Sequence, residues 1–346
     1  MSSETSRESR AAADALQSEP LQHLLTIVLV TSPIRSHPST EMLERTLVSY
    51  VENSADLAEC AKIVVSDGFT IAGPEQKPKP KSGRIPEAWV LPYSEFRDRL
   101  DGLVVVATTS SRDDAVGMDG GLHSHPATRK RVVSAFRHCW HLRMEQHKGF
   151  GGCTYCALRL VKTPYVLVLQ HDRPCTRAFP ASRLLGAMLA SKGMVKYVGL
   201  PTKASLARTL PAAVQSRCQF RLDDDAVDEG VAAAAAMSEV TLRVLLFWYD
   251  SSHLCQVSHY RDVVFAKGHV PGGGFPEDSF GQAMHADICA GAQAGRWRQA
   301  HAAYGTYLYV DGQGPLVGHL RGRRYSLDAA ERGKLRMPSR ESGLKS

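Results

Sequence analysis

Three short runs constrain this chain more than anything else in it. Thr26–Val30 (TIVLV), Ala61–Ser66 (AKIVVS) and Tyr165–Leu169 (YVLVL) are almost unbroken in aliphatic and β-branched residues, and each stops at a polar turn. Runs of this length and composition read as buried strands. Leu103–Ala107 (LVVVA), Lys196–Leu200 (KYVGL) and Arg243–Tyr249 are expected to be further strands. Ser39 or Thr40 can cap a helix running to about Asn53, with Met42, Leu43, Thr46, Leu47 and Tyr50 on one side. A second helix is expected from Thr128 to Gln146, a break at Gly149–Gly152, and a short helix over Tyr155–Val161. Strand–helix alternation over residues 26–200 predicts an α/β fold, a mostly parallel sheet flanked by helices. Such sheets bind ligands outside the carboxyl ends of their strands. The polar residues there are Thr31, Ser32, Asp67, His171 and Asp172.

The chain of 346 residues is long enough for a well-buried core, and 43% hydrophobic with 22% charged content reads as globular. No run approaches the roughly 20 apolar residues a membrane span needs. The start, MSSETSRESRAAADALQSEP, lacks the apolar core of a secretory signal. A soluble, cytoplasmic protein is therefore the expectation, with one domain over 22–325 and disordered tails at 1–21 and 326–346. The net charge of +7 is concentrated at the end: Arg321–Ser346 holds eight Lys/Arg against three Asp/Glu. Aromatic residues are not interleaved there, which argues against nucleic-acid binding. Without a secretory signal the eight cysteines are expected to be reduced thiols. Residues 73–86 (GPEQKPKPKSGRIP) read as an exposed loop, and the Ala-rich 209–240 stretch as a partly helical connection.

Two strand-end motifs carry most of the functional signal. One is VVSDGFT, Val64–Thr70; the other is KGFGGCTYCALRLVKTPYVLVLQHDR, Lys148–Arg173. Taken in order after TIVLVTSPI, they resemble the inverting family-2-like glycosyltransferases of the GT-A fold, over roughly residues 24–200. The resemblance implies sugar transfer from a nucleotide-sugar donor to a hydroxyl on a glycan, protein or small-molecule acceptor. It implies that Thr31 and Ser32 border the nucleotide and that Asp67 holds the base or ribose. Asp172 matches the second Asp of the family's Asp-x-Asp metal motif, and His171 lies beside it. Together they would bind Mn²⁺ or Mg²⁺, whose charge makes the diphosphate a better leaving group. The first Asp position is Gln170, so the site carries less negative charge than the family pattern. Asp172 has a plainer reading too, as the ion-pair partner of Arg173.

Further along, GGGFPEDSFGQ (Gly272–Gln282) delivers Glu277 and Asp278 to the start of an expected helix, Ser279–Ala290. The family's acceptor-site Glu-Asp motif makes Asp278 the base that takes the acceptor proton, with Glu277 next. Both also suit the N-terminus of a helix. The Gly272–Gly274 run suits a loop that closes over substrate. In VGHLRGRRY (Val317–Tyr325), His319 resembles a late metal ligand, and Arg321 and Arg323 resemble diphosphate contacts. Trp248, Tyr249, Asp250 and His253 are candidates to line an acceptor pocket, and His37 to touch the nucleotide. Cys153 and Cys156 form a lone C-x-x-C near Cys139, His141 and His147. On a helix the two would be ordinary core residues rather than zinc ligands. Two rival functions stand beside this one. A sugar-phosphate nucleotidyltransferase should show a Gly-rich loop after the first strand, which TSPIRSHPST lacks. A catalytically inactive nucleotide- or carbohydrate-binding protein would account for Gln170.

Overall fold

The three aliphatic runs are neighbouring parallel strands. The computed structural model describes residues 19–109, 126–209, 227–266 and 269–322. Strand β1 (Leu25–Thr31) is buried along its whole length and pairs in parallel with β2 (Ala61–Ser66) on one side. On its other side it pairs in parallel with β6 (Tyr165–Gln170). Beside them, β3 (Thr70–Ile71) and β4 (Arg84–Ile85) make a separate two-stranded ladder. The main sheet is completed by β5 (Cys139–Arg143), β7 (Tyr197–Gly199), β8 (Thr241–Val244), β9 (His253–Gln256) and β10 (Thr306–Val310). Its eight strands run in the order β5-β2-β1-β6-β9-β7-β10-β8. β9 and β8 are antiparallel to their neighbours. Helices flank this mostly parallel sheet, as the alternation predicts.

The helix Glu41–Asn53 buries Met42, Leu43, Thr46, Leu47 and Tyr50, the face the sequence indicates. At its start Ser39 Oγ accepts the Glu41 N–H at 3.2 Å. Two expectations fail. Leu103–Ala107 is not a strand but part of the helix Val90–Thr109. The strand that follows β2 in the main sheet is instead β5, in a stretch expected to be helical: the helix Pro126–Ala135 ends early, His138 takes a left-handed φ of 54°, and Cys139–Arg143 pairs in parallel with β2. The strands β9 and β10 were not anticipated. The other corrections are smaller. The expected strand at Arg243–Tyr249 overlaps β8 only at Arg243 and Val244, and residues 245–249 are not strand. The helix after it, Phe280–Gln293, lies close to expectation. Of the 209–240 connection, Glu229–Met237 is helical, and 210–226 lies outside the described residues. The expected tails at 1–21 and 326–346 fall almost wholly outside them as well. Among the described residues no helix is long and apolar enough to cross a membrane.

Three histidines are locked into this core. His253, His259 and His301 are buried, and burial depresses each pKa from 6.5 to about 4. The unfolded chain therefore binds more protons than the folded one between those values. Their contribution is intact above about pH 6.5 and is lost as pH falls toward 4. Each group is worth up to about 2 kcal/mol at pH 5. The melting temperature is expected to drop by about 10 °C between pH 7 and pH 5. A scanning-calorimetry series that stays flat over that window would contradict this.

Candidate active site

The strand ends β1, β2 and β6 open onto two adjoining cavities. The smaller, about 130 Å³, is bordered by Thr31, Ser32, Asp67, His171 and Asp172. The larger, about 630 Å³, is bordered by Asp172, Glu277, Asp278, His319 and Arg321. Lys81, Gln170, Asp172 and Phe275 border both. Stretches far apart in sequence, near 67, 172 and 278, therefore meet in one cleft at the carboxyl side of the sheet. Arg323 lies outside the described residues.

Asp67 sits just past β2, where its N–H bonds the Thr31 carbonyl at 2.9 Å. Its carboxylate accepts the backbone N–H groups of Lys148 at 2.7 Å and Gly149 at 3.1 Å, fixing the start of the helix Gly149–Leu158. His147 Nδ1 approaches the same carboxylate at 2.7 Å without hydrogen-bond alignment. Asp67 thus has a structural task, and a carboxylate with two partners still has lone pairs for a nucleoside. Asp67→Asn replaces one accepting oxygen with a donor and is expected to cost about 2 kcal/mol. Chemical denaturation measures this; an unchanged midpoint would refute the tie.

The glycines expected to break the chain at 149–152 start that helix instead. They let it pack backbone-to-backbone on the Gly272–Gly274 loop, where Gly151 N–H bonds the Gly274 carbonyl at 3.1 Å. A Cβ on Gly273, whose φ is +73°, would lie 1.7 Å from the Lys148 carbonyl oxygen. The loop is therefore seated against the helix that Asp67 anchors. Gly273→Ala is expected to destabilise the protein by roughly 3 kcal/mol or more. Gly272→Ala, at φ +61° with open space around it, is expected to cost only about 1 kcal/mol. Equal melting temperatures for the two variants would contradict the seating.

Asp172 lies two residues past β6. Its Oδ2 faces His319 Nε2 at 3.2 Å and accepts the Gly322 N–H at 3.0 Å. Burial opposes its ionisation, yet His319, His171 and the Gly322 N–H outweigh burial and hold the carboxyl below the usual carboxylate range. No ion pair joins it to Arg173 among the described residues; its ion-pair partner is His319. His171 is held below its ordinary value by burial, and its Nδ1 has no hydrogen-bond partner among the described residues. No group of three His, Cys, Asp or Glu side chains that could hold a metal occurs among the described residues. Asp172 and His319 make a two-donor set, one hard oxygen and one imidazole nitrogen. Mg²⁺-like ions are commonly held by one or two carboxylates and completed by substrate phosphates, so this pair alone would leave most of a cation's coordination to other ligands.

Gln170 has a role that an acid could not fill. Its Nε2 donates to the Asp250 carbonyl at 2.7 Å, which a carboxylate cannot do. Asp250 in turn clamps the Glu-Asp segment: its Oδ2 accepts the Glu277 N–H at 2.9 Å, and its own N–H reaches Glu277 Oε2 at 3.3 Å. Trp248 Nε1 donates to Asp250 Oδ1 at 3.1 Å. Burial pushes the Asp250 carboxyl well above its ordinary value. Trp248 and His253 are core residues, whereas Tyr249 and Asp250 border the larger cavity.

Glu277 and Asp278 differ in setting. Glu277 is 34% exposed and 4.0 Å from Arg208, and burial raises its carboxyl above the usual range. Asp278 is 67% exposed and 3.8 Å from Lys81 Nζ. Neither Lys81 nor Arg208 was anticipated. Lys81 arrives on the Pro- and Lys-rich loop, where Thr70 N–H bonds the Gly83 carbonyl at 2.8 Å and folds the excursion back. Its ammonium also stands 5.5 Å from the Phe275 ring. No local pattern distinguishes it from Lys77 or Lys79. His37 stays out of both cavities, and its Nε2 donates to the Ser32 carbonyl at 3.2 Å. Cys153 is buried on the helix Gly149–Leu158, an ordinary core residue. A Ser66–His141–Asp101 chain, with contacts of 2.9 and 2.5 Å, has a fully buried serine that no substrate reaches.

No protein-family model matches the chain, and no curated protein matches it. Among solved structures, S. aureus TarS aligns at 10% identity with a TM-score of 0.37, over 84% of this chain and 36% of TarS. The chain thus spans little more than a third of that protein. UDP-glucose pyrophosphorylase complexed with UDP-glucose aligns at 11% identity and a TM-score of 0.39, over 81% and 98% of the two chains. CMP:2-keto-3-deoxy-manno-octonic acid synthetase complexed with CTP gives 11%, 0.31, 83% and 88%. Likenesses this faint say nothing of the chemistry in this cleft.

Proposed function

We propose that this protein is a glycosyltransferase that moves a sugar from a nucleotide-sugar donor to a hydroxyl-bearing acceptor, with inversion. The observation that carries the reading is the meeting of Asp67, Asp172 and the Glu277-Asp278 pair around two connected cavities. The smaller cavity takes the nucleoside, bordered by Thr31, Ser32 and Asp67. The diphosphate crosses at Asp172, near Arg321, and the sugar and acceptor occupy the larger cavity. A Mn²⁺ or Mg²⁺ ion held by Asp172 and His319 would balance charge on the departing diphosphate.

Glu277 is the base in this reading. Its carboxylate takes the acceptor hydroxyl proton while that oxygen bonds to the anomeric carbon. The bond from that carbon to the diphosphate oxygen breaks, and its electron pair leaves with the nucleotide. Burial raises the Glu277 carboxyl toward the working pH, which suits a base, and the Asp250 clamp fixes its backbone. The more exposed Asp278, first choice by motif, pairs with Lys81 at the rim.

The direct test is a hydrolysis screen over uridine, guanosine, adenosine and thymidine diphosphate sugars, with Mn²⁺, Mg²⁺ or chelator. One donor is expected to be cleaved, slowly, with water as acceptor. Turnover of a nucleoside triphosphate with a sugar phosphate, and none of a nucleotide sugar, would make it a nucleotidyltransferase instead.

A further inference from the structure

Arg173 follows Asp172 directly, and an ion pair between them is the plain expectation. The structure breaks it. Asp172 is taken by His319 and the Gly322 N–H, and Arg173 Nε is buried without a hydrogen-bond partner among the described residues. Its residue nonetheless borders the larger cavity. A buried, unsatisfied guanidinium donor is costly, and the cost is recovered when an oxyanion arrives.

The other cations around the cavity sort into two kinds. Lys81 faces Asp278 at 3.8 Å, and Arg208 faces Glu277 at 4.0 Å with its guanidinium 5.4 Å from the Tyr249 ring. Both are engaged on the side of the proposed base. Arg173 and Arg321 form no ion pair among the described residues, although the Arg173 charge also reaches Glu277, and they bracket Asp172. Arg173 is its chain neighbour, and Arg321, held at a left-handed φ of 53°, precedes the Gly322 whose N–H binds it. A guanidinium is the group best matched to a phosphate's paired oxygens.

We propose that Arg173 recognises the second phosphate of a nucleoside diphosphate, and that this guanidinium sets the preference of the site for diphosphate over monophosphate. The assignment rests on the nucleotide-sugar reading above. It concerns a residue that the motif resemblance leaves without a role.

The experiment is a calorimetric titration of UDP against UMP, GDP against GMP, ADP against AMP and TDP against TMP, run in chelator and again in Mg²⁺. For the pair that binds, the wild type is expected to favour the diphosphate by about tenfold or more. Arg173→Gln and Arg173→Ala are expected to bring that ratio within about twofold, and Arg173→Lys to retain part of it. Monophosphate affinity should stay at the wild-type value in all three, which also shows that they are folded. A purely structural arginine would weaken both ligands alike. Should Arg173→Ala not fold, the Gln and Lys variants decide the ratio. Variants that keep the wild-type ratio overturn the assignment. A wild type that binds none of these eight nucleotides overturns the nucleotide reading itself, and the assignment with it.

Discussion

Glu277→Gln is expected to lower turnover about a hundredfold to ten-thousandfold, the usual worth of a general base, while nucleotide affinity stays at the wild-type level. The substitution keeps size and the Asp250 N–H contact but removes a half-buried proton acceptor of the larger cavity that the Asp250 clamp holds. Because burial raises the Glu277 carboxyl above its ordinary value, the acid limb of the rate profile should lie at higher pH than a free carboxylate would give. Asp278→Asn, at the exposed rim beside Lys81, is expected to cost less than about tenfold. Steady-state rates across pH, paired with nucleotide titrations, read both effects. The reverse ranking would restore Asp278 as the base.

Asp172→Asn is expected to reduce donor cleavage about a hundredfold or more, and here nucleotide affinity should fall with it. Among the described residues, the carboxylate is the one negative group that borders both cavities. It also organises the segment that brings His319 and Arg321 to the cleft: Leu320 N–H bonds the Asp172 carbonyl at 2.9 Å, and Gly322 N–H bonds its side chain. An amide loses the charge and the His319 ion pair together. Since the folded state holds this carboxyl below the usual range, its stabilising effect is present above the ordinary carboxylate pKa and fades as pH falls below it. Wild-type cleavage by Asp172→Asn would remove this residue from the mechanism.

The fold was legible where burial is two-sided. β1, β2 and β6 are so continuously apolar that their ends, and the polar residues past them, could be placed to within one residue. The Leu103–Ala107 error came from reading five residues alone. Over a longer window Tyr93, Phe96, Leu100 and Ala107 are buried while Val105 is exposed, which is helical spacing. β5 was missed for the opposite reason. It is an edge strand with Trp140 exposed, so its pattern is weak. The carboxylates of the cleft could be found because each lies at a strand end or a Gly-rich turn. Lys81, Arg208 and the Gln170–Asp250–Glu277 linkage could not, because their partners are remote in sequence. That linkage also gives Gln170 a task, since its amide donates to the Asp250 carbonyl that a carboxylate would repel.

The claim on which the rest depends is that the two cavities together hold one nucleoside diphosphate. Crystals soaked with whichever nucleoside diphosphate raises the melting temperature most would test it. Density is expected for the base beside Thr31 and Asp67 and for the phosphates beside Asp172 and Arg173. Density on another face of the sheet, with this cleft holding solvent alone, would contradict it.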